Sequence, residues 1–132
     1  MITIVHTLSV DDFICLYEDA GWVIAEREII KKALSNSYAV FSLVRDGETI
    51  AMARILGDGA MIYYLKDMVV LKKYQGSGYG KMLIEHIINF IKLESRNKST
   101  VRLEIMSAGG KETFYSKLNF KKSSGYGMVM LI

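Results

Sequence analysis

The segment Tyr74–Lys81, with the sequence YQGSGYGK, carries glycines in alternate positions at Gly76, Gly78 and Gly80. An apolar, strand-like stretch precedes it and a stretch with helical spacing follows, so the glycines stand at a predicted strand-to-helix junction. Glycine lets a backbone adopt positive φ angles and approach a ligand closely, and the start of a helix suits a phosphate or pyrophosphate. A plain tight turn is the alternative. Three alternating glycines between a glutamine and a lysine favour the anion site.

Spacing excludes three common glycine motifs at this junction. A nucleotide-hydrolase phosphate loop would need glycine in place of Gln75 and Ser or Thr in place of Met82. A dinucleotide-binding fingerprint would need its third glycine where Lys81 stands. A hydrolase nucleophile elbow around Ser77 would need glycines in place of Gln75 and Tyr79. The junction therefore belongs to another kind of anion-binding loop.

Two segments resemble the GNAT superfamily of N-acetyltransferases. VVLKKYQGSGYGKMLIEHI resembles its acetyl-CoA-binding motif: Gln75, Gly78 and Gly80 match the pattern of Gln or Arg, two residues, Gly, one residue, and Gly or Ala. FYSKLNF, residues 114–120, resembles the second signature of the family. The resemblance covers nearly the whole chain and implies a small, bacterial-type member.

The resemblance implies that acetyl-CoA binds as a co-substrate between two diverging strands, without a metal. The pantetheine arm would pair with the backbone of residues 68–70, which would also be an ordinary buried strand. The pyrophosphate would lie on the amides of residues 75–81. The residues implied to bind acetyl-CoA are Met68, Val69, Val70, Gln75, Gly76, Ser77, Gly78, Tyr79, Gly80, Lys81 and Ser107.

The resemblance also assigns catalytic roles. Tyr115, in the second signature, would donate a proton to the departing thiolate, because a phenol is protonated at neutral pH. The backbone N–H of Val70 would stabilise the oxyanion. Asp67 and Glu104 are candidates for the general base, with Asp67 preferred. A surface ion pair without a catalytic role is an equally good interpretation of each carboxylate.

The acceptor is expected to be a primary amine of a small molecule, which attacks the acetyl group directly in a ternary complex. Its candidate binding residues are Tyr17, Trp22, Tyr64 and Glu104, because aromatic rings beside a carboxylate suit a cationic amine. A protein lysine or N-terminus is an alternative acceptor. A protein that binds CoA without turnover, as a sensor or interaction module, is an alternative function, although Tyr115 argues against it.

The elements that must position these residues follow from the pattern of apolar residues. The 132 residues suit one domain, residues 1–132, of the mixed α+β class. The order is β-α-α-β-β-β-α-β-α-β-β, with a mostly antiparallel sheet, a hairpin at Asp46-Gly47 and, by resemblance, splayed fourth and fifth strands. NFKK and GMVMLI are the final predicted strands, and the second of these could pair across a homodimer.

Composition and the remaining polar residues exclude other classes. A net charge of +3 with scattered basic residues argues against nucleic-acid binding. No apolar run is long enough to cross a bilayer, and no signal peptide is recognisable, so we expect a cytoplasmic protein without a membrane partner. His6 and His86 are predicted to be structural, which predicts no metal site. Cys15, the single cysteine, is predicted to lie in the core.

Overall fold

The computed structural model describes residues 1–96 and 101–132. Its strands are β1 (Ile2–Val5), β2 (Ala39–Arg45), β3 (Glu48–Gly57), β4 (Ile62–Val70) and β5 (Arg102–Ile105). Its α-helices are α1 (Val10–Asp19), α2 (Arg27–Ser35), α3 (Tyr79–Glu94) and α4 (Glu112–Lys117), and a 3₁₀ turn covers Lys72–Tyr74. This order matches the predicted one as far as α4.

The strands form one sheet in the order β1-β2-β3-β4-β5. The first three pairs of neighbours are antiparallel, and β4 and β5 are parallel. A parallel pair needs a crossover connection, and the connection between β4 and β5 contains α3. The mixed α+β fold with a mostly antiparallel sheet is therefore confirmed.

Local sequence signals explain the first helix and the first hairpin. The Ser9 hydroxyl accepts a hydrogen bond from the Asp12 amide at 3.0 Å and caps α1. Asp46 and Gly47, between β2 and β3, both have positive φ, at 48° and 83°. Such a two-residue turn matches the twist of the strands it joins. Both features agree with the sequence prediction.

The core lies on both faces of the sheet. Four consecutive residues of β3, Ile50–Ala53, are fully buried, and successive side chains of a strand point to opposite faces. Both faces of β3 must therefore be covered, and α1 and α3 both contact it. The apolar stripe of α3 contributes Leu83, Ile84, Ile87 and Ile91 to this core.

Two predictions about the chain are wrong. The segment after α4 contains neither of the two predicted final strands, and within it Met128 to Ile132 are 74–117% exposed. The prediction had relied on strand propensity, which cannot supply a neighbouring strand to pair with. Cys15 is exposed rather than in the core, because the buried stripe of α1 runs through Phe13 and Leu16 instead.

The described residues show neither a membrane-spanning helix nor a metal-binding cluster. Within residues 1–96 and 101–132, no helix combines the length and apolar character needed to cross a membrane. The same residues contain no group of three or more His, Cys, Asp or Glu side chains that could hold a metal ion.

His6 and His86 form a pair that joins the end of β1 to α3. Their Nε2 atoms lie 2.9 Å apart, and both rings contact the buried Phe41 edge-on. Burial, and then the charge of His6, hold the pKa of His86 below its usual value. Folding therefore favours the neutral ring, and this contribution to stability is present above about pH 6.5 and is lost as the pH falls.

We expect the urea midpoint of unfolding to be lower at pH 5.5 than at pH 7.5, because two protonated rings would repel each other. The variant His6→Gln should show a smaller difference between the two pH values. The effect should stay below about 1 kcal/mol, since the pair lies near the surface. An identical pH dependence in wild type and variant would exclude the pair as its source.

Candidate active site

A gap between β4 and β5 forms one wall of the candidate site. The two strands pair only from Ile62 with Arg102 to Leu65 with Ile105, whereas β4 continues to Val70. Among residues 1–96 and 101–132, β4 therefore has a strand partner beyond Leu65 only on its β3 side. A cavity of about 1000 Å³ lies along this part of β4 and reaches the glycine loop and α4. The splayed strands thus open a site large enough for an extended ligand.

A bulge in β4 lies at the start of this gap. Met52 pairs with Val69, but Arg54 pairs with Lys66, so β4 has one more residue than β3 between these pairs. Asp67 is one of the two β4 residues between these pairs, and its φ is 53°. A bulge interrupts the ladder and bends the strand. The bulge thus lies in the part of β4 that lines the cavity.

The backbone of Val70 faces the gap. The Leu71 N–H donates to the Ile50 carbonyl on β3 at 2.9 Å. Backbone groups of successive strand residues point to opposite edges, so the N–H and C=O of Val70 point away from β3. The Gln75 Nε2 group donates to this carbonyl at 2.9 Å. Gln75 therefore ties the glycine loop to β4 and leaves the Val70 N–H directed into the cavity.

The three glycines of the loop have two different functions. Gly76 and Gly78 have φ of 82° and 87°, and a Cβ built on either would meet no atom within 4 Å. These two residues line the cavity, and Gly78 caps α3, so bare backbone faces the space at the helix start. Gly80 has an ordinary helical φ, but a Cβ there would lie 3.2 Å from the Phe114 ring. The third glycine thus allows α3 and α4 to pack closely.

The residues present fit a polyphosphate ligand at this loop. Backbone N–H groups at the start of α3 provide hydrogen-bond donors and the positive end of a helix dipole. Lys72, Lys81 and Lys111 also line the cavity. Side chains at Gly76 and Gly78 would project into open space. Their absence leaves the backbone N–H groups of the loop accessible to a ligand.

Tyr115 lies on α4 at the opposite wall of the cavity. Its ring is half-buried and packs edge-on against Phe114 and Phe120, at centroid distances of 5.0 and 5.6 Å. Burial raises the pKa of the Tyr115 phenol above its usual value. The hydroxyl therefore stays protonated throughout the neutral range, as a proton donor must.

Asp67 lies in the cavity wall and is ion-paired. Its Oδ2 atom accepts a hydrogen bond from Arg54 Nε at 2.5 Å, and Arg54 Nη1 lies 3.3 Å from the Ser37 hydroxyl. Asp67 is only 9% exposed. Burial, and then the negative charge of Asp67, raise the pKa of Tyr17, while Arg54 opposes this. Asp67 is therefore ion-paired, but the pair is nearly buried and not the surface ion pair considered from the sequence.

Most of the predicted site residues line this one cavity, and two do not. Tyr17, Trp22 and Tyr64 lie in its wall, and Tyr17 packs edge-on against Trp22 at 5.0 Å. Ser77 and Glu104, both in the described part of the chain, are not among its lining residues. The Glu104 carboxylate instead accepts from Arg102 Nε at 2.8 Å, which agrees with the surface ion pair considered for it. The predicted residues found in the lining are Tyr17, Trp22, Tyr64, Asp67, Met68, Val69, Val70, Gln75, Gly76, Gly78, Tyr79, Gly80, Lys81, Ser107 and Tyr115.

Several lining residues were not predicted from the sequence. Phe114 stands in the same signature as Tyr115 and could have been found there. The predicted set included Ser107 but neither Met106 nor Ala108, its neighbours after β5. Lys66 and Lys111 carry no sequence signal beyond their charge, since only the folded chain brings them to the cavity.

Comparison with known proteins agrees with this geometry. The model of the acetyltransferase (GNAT) domain matches residues 36–122, which include the bulge, the glycine loop and Tyr115. The chain belongs to the GNAT family. It is 30% identical over 111 residues to an uncharacterized N-acetyltransferase, ycf52, of Pyropia yezoensis, covering 81% of this chain and 62% of that protein. The chain thus spans less than two thirds of the length of the curated relatives it matches.

Two solved structures share the fold over most or all of this chain. A probable acetyltransferase of unknown function, SA2161 from methicillin-resistant Staphylococcus aureus, has a TM-score of 0.90 and 28% identity, with all of both chains covered. The N-acetylglutamate synthase of Neisseria gonorrhoeae, solved with coenzyme A and N-acetyl-glutamate, has a TM-score of 0.69 and 22% identity, covering 89% of this chain and 28% of that one. At 22% identity, the similarity to the N-acetylglutamate synthase shows a shared fold only.

The two functions of the loop glycines lead to a test with a matched control. Gly78→Val should raise the Michaelis constant for acetyl-CoA at least about tenfold, because a branched side chain would fill the cradle and oppose the positive φ. Gly47→Val introduces the same side chain at φ of 83°, also with no atom within 4 Å, but in the β2–β3 turn. Both variants should lose roughly 1–2 kcal/mol of stability from the strained backbone.

Only Gly78→Val, the variant in the loop, should raise the Michaelis constant for acetyl-CoA. Steady-state kinetics and thermal unfolding of both variants separate binding from folding. Equal Michaelis constants in Gly78→Val and Gly47→Val would show that the loop is only a turn.

Proposed function

We propose that this GNAT protein transfers the acetyl group of acetyl-CoA to a primary amine of a small molecule, by direct attack in a ternary complex. One observation carries the proposal. A single cavity joins the open backbone of Val70, the helix start at Gly78 and the protonated hydroxyl of Tyr115. Thioester aminolysis requires an oxyanion donor, an anchor for the CoA phosphates and a proton for the thiolate, and these three groups can supply them.

Acetyl-CoA supplies an activated thioester, and the chain provides its binding surface. The backbone of Met68–Val70 would hold the pantetheine arm as an added strand, because β4 lacks a partner on this side. Gln75–Lys81 would hold the pyrophosphate on amide groups at the start of α3. Ser107, just beyond β5, would contact the ligand from the opposite wall.

Three groups of the chain would act during transfer. The Val70 N–H would donate to the thioester oxygen as negative charge develops there. The Tyr115 hydroxyl would give its proton to the departing sulfur. Asp67 would take the proton of the attacking amine, directly or through water. Arg54 engages its Oδ2 atom, so Oδ1 is the oxygen assigned to this step.

The acceptor would lie between Asp67 and the aromatic wall. Tyr17, Trp22 and Tyr64 offer ring faces to a cation, and the carboxylate attracts it before it loses its proton. A free amine on a small molecule fits this wall. An assay that follows CoA release with small amines, amino acids, peptide N-termini and lysine peptides distinguishes the acceptor classes. Turnover with the peptides alone would replace the small-molecule assignment.

The expected partners and location belong to the same proposal. We expect a homodimer, because an apolar segment stands exposed at residues 126–132. We expect neither nucleic acid nor a membrane as a partner, since basic side chains are scattered along the chain. A cytoplasmic location stays a prediction from the sequence.

Acetyl-CoA should raise the melting temperature of the protein, because a ligand that binds only the folded state stabilises it. At about 100 times its dissociation constant the gain is roughly 2.7 kcal/mol. A nucleoside triphosphate, which has phosphates but no pantetheine arm, is the matched control. If the triphosphate stabilises the protein and saturating acetyl-CoA does not, the cofactor assignment is wrong.

Tyr115→Phe should lower turnover by up to about 10²–10⁴-fold while leaving the Michaelis constant for acetyl-CoA nearly unchanged. The variant keeps the ring packing and removes only the proton donor. Tyr38→Phe also removes one phenol, whose hydroxyl donates to Glu94 outside the cavity, and should keep its turnover. Rate measurements with a good acceptor, under conditions in which chemistry limits the rate, make this comparison.

The pH profile gives a second measurement on Tyr115. Since burial raises its pKa above the usual value of 10.0, any loss of rate that Tyr115 causes must have its midpoint above that value and vanish in Tyr115→Phe. Unchanged turnover in Tyr115→Phe would remove the hydroxyl from the mechanism.

A further inference from the structure

Lys66 lines the end of the cavity beside Asp67, which we call the acceptor end. The Lys66 side chain is exposed, and none of the ion pairs among residues 1–96 and 101–132 includes it. Asp67 is the single acidic residue that lines the cavity in these ranges, and its carboxylate is already bound to Arg54. The acceptor end therefore holds one positive charge that no carboxylate of the described chain neutralises.

Strand pairing places Lys66 on the same face of the sheet as the Asp67–Arg54 pair. Lys66 on β4 pairs with Arg54 on β3, and directly opposite residues of antiparallel strands point to the same face. On that face, Arg54 binds Asp67 at 2.5 Å and reaches the Ser37 hydroxyl, just after α2. Adjacent strand residues normally point to opposite faces, but Asp67 lies in the bulge, and bulges re-aim side chains. Lys66 and Asp67 can therefore contact one ligand together.

The pairing of Lys66 with Arg54 is unfavourable unless an anion lies beside it. Like charges directly opposite each other on neighbouring strands destabilise a sheet. Asp67 compensates the charge of Arg54, whereas Lys66 stays uncompensated. Local conflicts of this kind are expected at functional sites. An anionic group on a bound ligand would remove the conflict.

The phosphates of acetyl-CoA do not account for Lys66. The glycine loop follows β4, and Gln75 ties that loop to the Val70 carbonyl. Lys66 lies four residues before Val70, which is about 13 Å along a strand. Under the proposed function the acetyl group lies at the Val70 N–H, between Lys66 and the loop. The charge of Lys66 thus faces the acceptor rather than the phosphates.

We propose that the acceptor is a primary amine that also carries an acidic group, a carboxylate or a phosphate, and that Lys66 binds this group. The inference rests on the proposed function and narrows its class of acceptor. The amine would lie against Asp67 Oδ1, and the acidic group would accept hydrogen bonds from Lys66 Nζ. The Cα atoms of adjacent residues are about 3.8 Å apart. The two contacts therefore suit an amine and an acidic group separated by a few bonds, as in an amino acid.

Matched acceptors test the inference. CoA release is measured with amino acids and their carboxamides, and with ethanolamine phosphate and ethanolamine, because the members of each pair differ mainly in the acidic group. In at least one pair the acidic member should have a kcat/KM at least about tenfold higher, and that pair identifies the group. The neutral member has the less basic amine and is more often ready to attack at pH 7.5. Amine basicity therefore works against the expected result.

Substitution of Lys66 assigns the preference to this residue. Lys66→Gln should bring the ratio of kcat/KM for the acidic and neutral members towards one, mainly through a higher KM for the acidic member. Lys66→Arg keeps the charge and should retain the ratio. Lys31→Gln removes the same charge from an exposed position on α2, outside the cavity, and should keep the wild-type ratio. A general loss of folded protein cancels, because both acceptors are compared in each variant.

Two outcomes would overturn the inference while the proposed function stands. Equal kcat/KM for the members of both pairs would show that the acceptor needs no acidic group. A preference that survives in Lys66→Gln would exclude Lys66 as its source. In both cases a small amine still releases CoA. If no amine of either kind releases CoA, the proposed function fails, and the inference fails with it.

Discussion

Beyond Leu65, β4 keeps its partner strand on one side and loses it on the other, and the rest of the site depends on this loss. Backbone groups that lack a partner must find one in water or a ligand, and the open side of β4 faces a cavity of about 1000 Å³. The bulge at Asp67 lies in the same stretch, where it shifts the register of β4 against β3 by one residue before pairing resumes at Val69. A gap between two strands thus provides both the space and the hydrogen-bonding groups for an extended ligand.

The junction between β4 and α3 fixes the position of the glycine loop relative to the open edge of β4. The side chain of Gln75 donates to the carbonyl of Val70, and the main chain of Lys72 donates to the Asp19 carboxylate at 2.8 Å. The loop is therefore held to β4 on one side and to the end of α1 on the other. A helix start displaced from the strand would separate the glycine loop from the Val70 amide, and these two contacts oppose such a displacement.

Charge is arranged differently at the two ends of the cavity. Lys72, Lys81 and Lys111 line the cavity together with the start of α3, and the helix start itself favours an anion. Near α1, Asp67 and Arg54 form a pair whose side chains are only 6% and 15% exposed. A nearly buried pair holds its geometry because removing either partner would leave an unpaired charge inside the protein. The same cavity can therefore attract a polyanion at one end and orient a small polar acceptor at the other.

Local patterns in the sequence were enough to predict the elements up to α4, the cap at Ser9, the turn at Asp46-Gly47 and the glycine loop. Each of these depends on side chains and φ angles within a few residues, so a short segment contains the physical cause. The β4 bulge, the pairing of Asp67 with Arg54 and the contact of Gly80 with Phe114 each join residues that are distant in the sequence. The C-terminal segment shows the same limit, since strand propensity predicted two strands there and the structure contains neither. Sequence alone thus determined local conformation and the kind of chemistry, whereas tertiary structure decided which groups share the cavity, because pairing energy depends on neighbours that only the folded chain brings together.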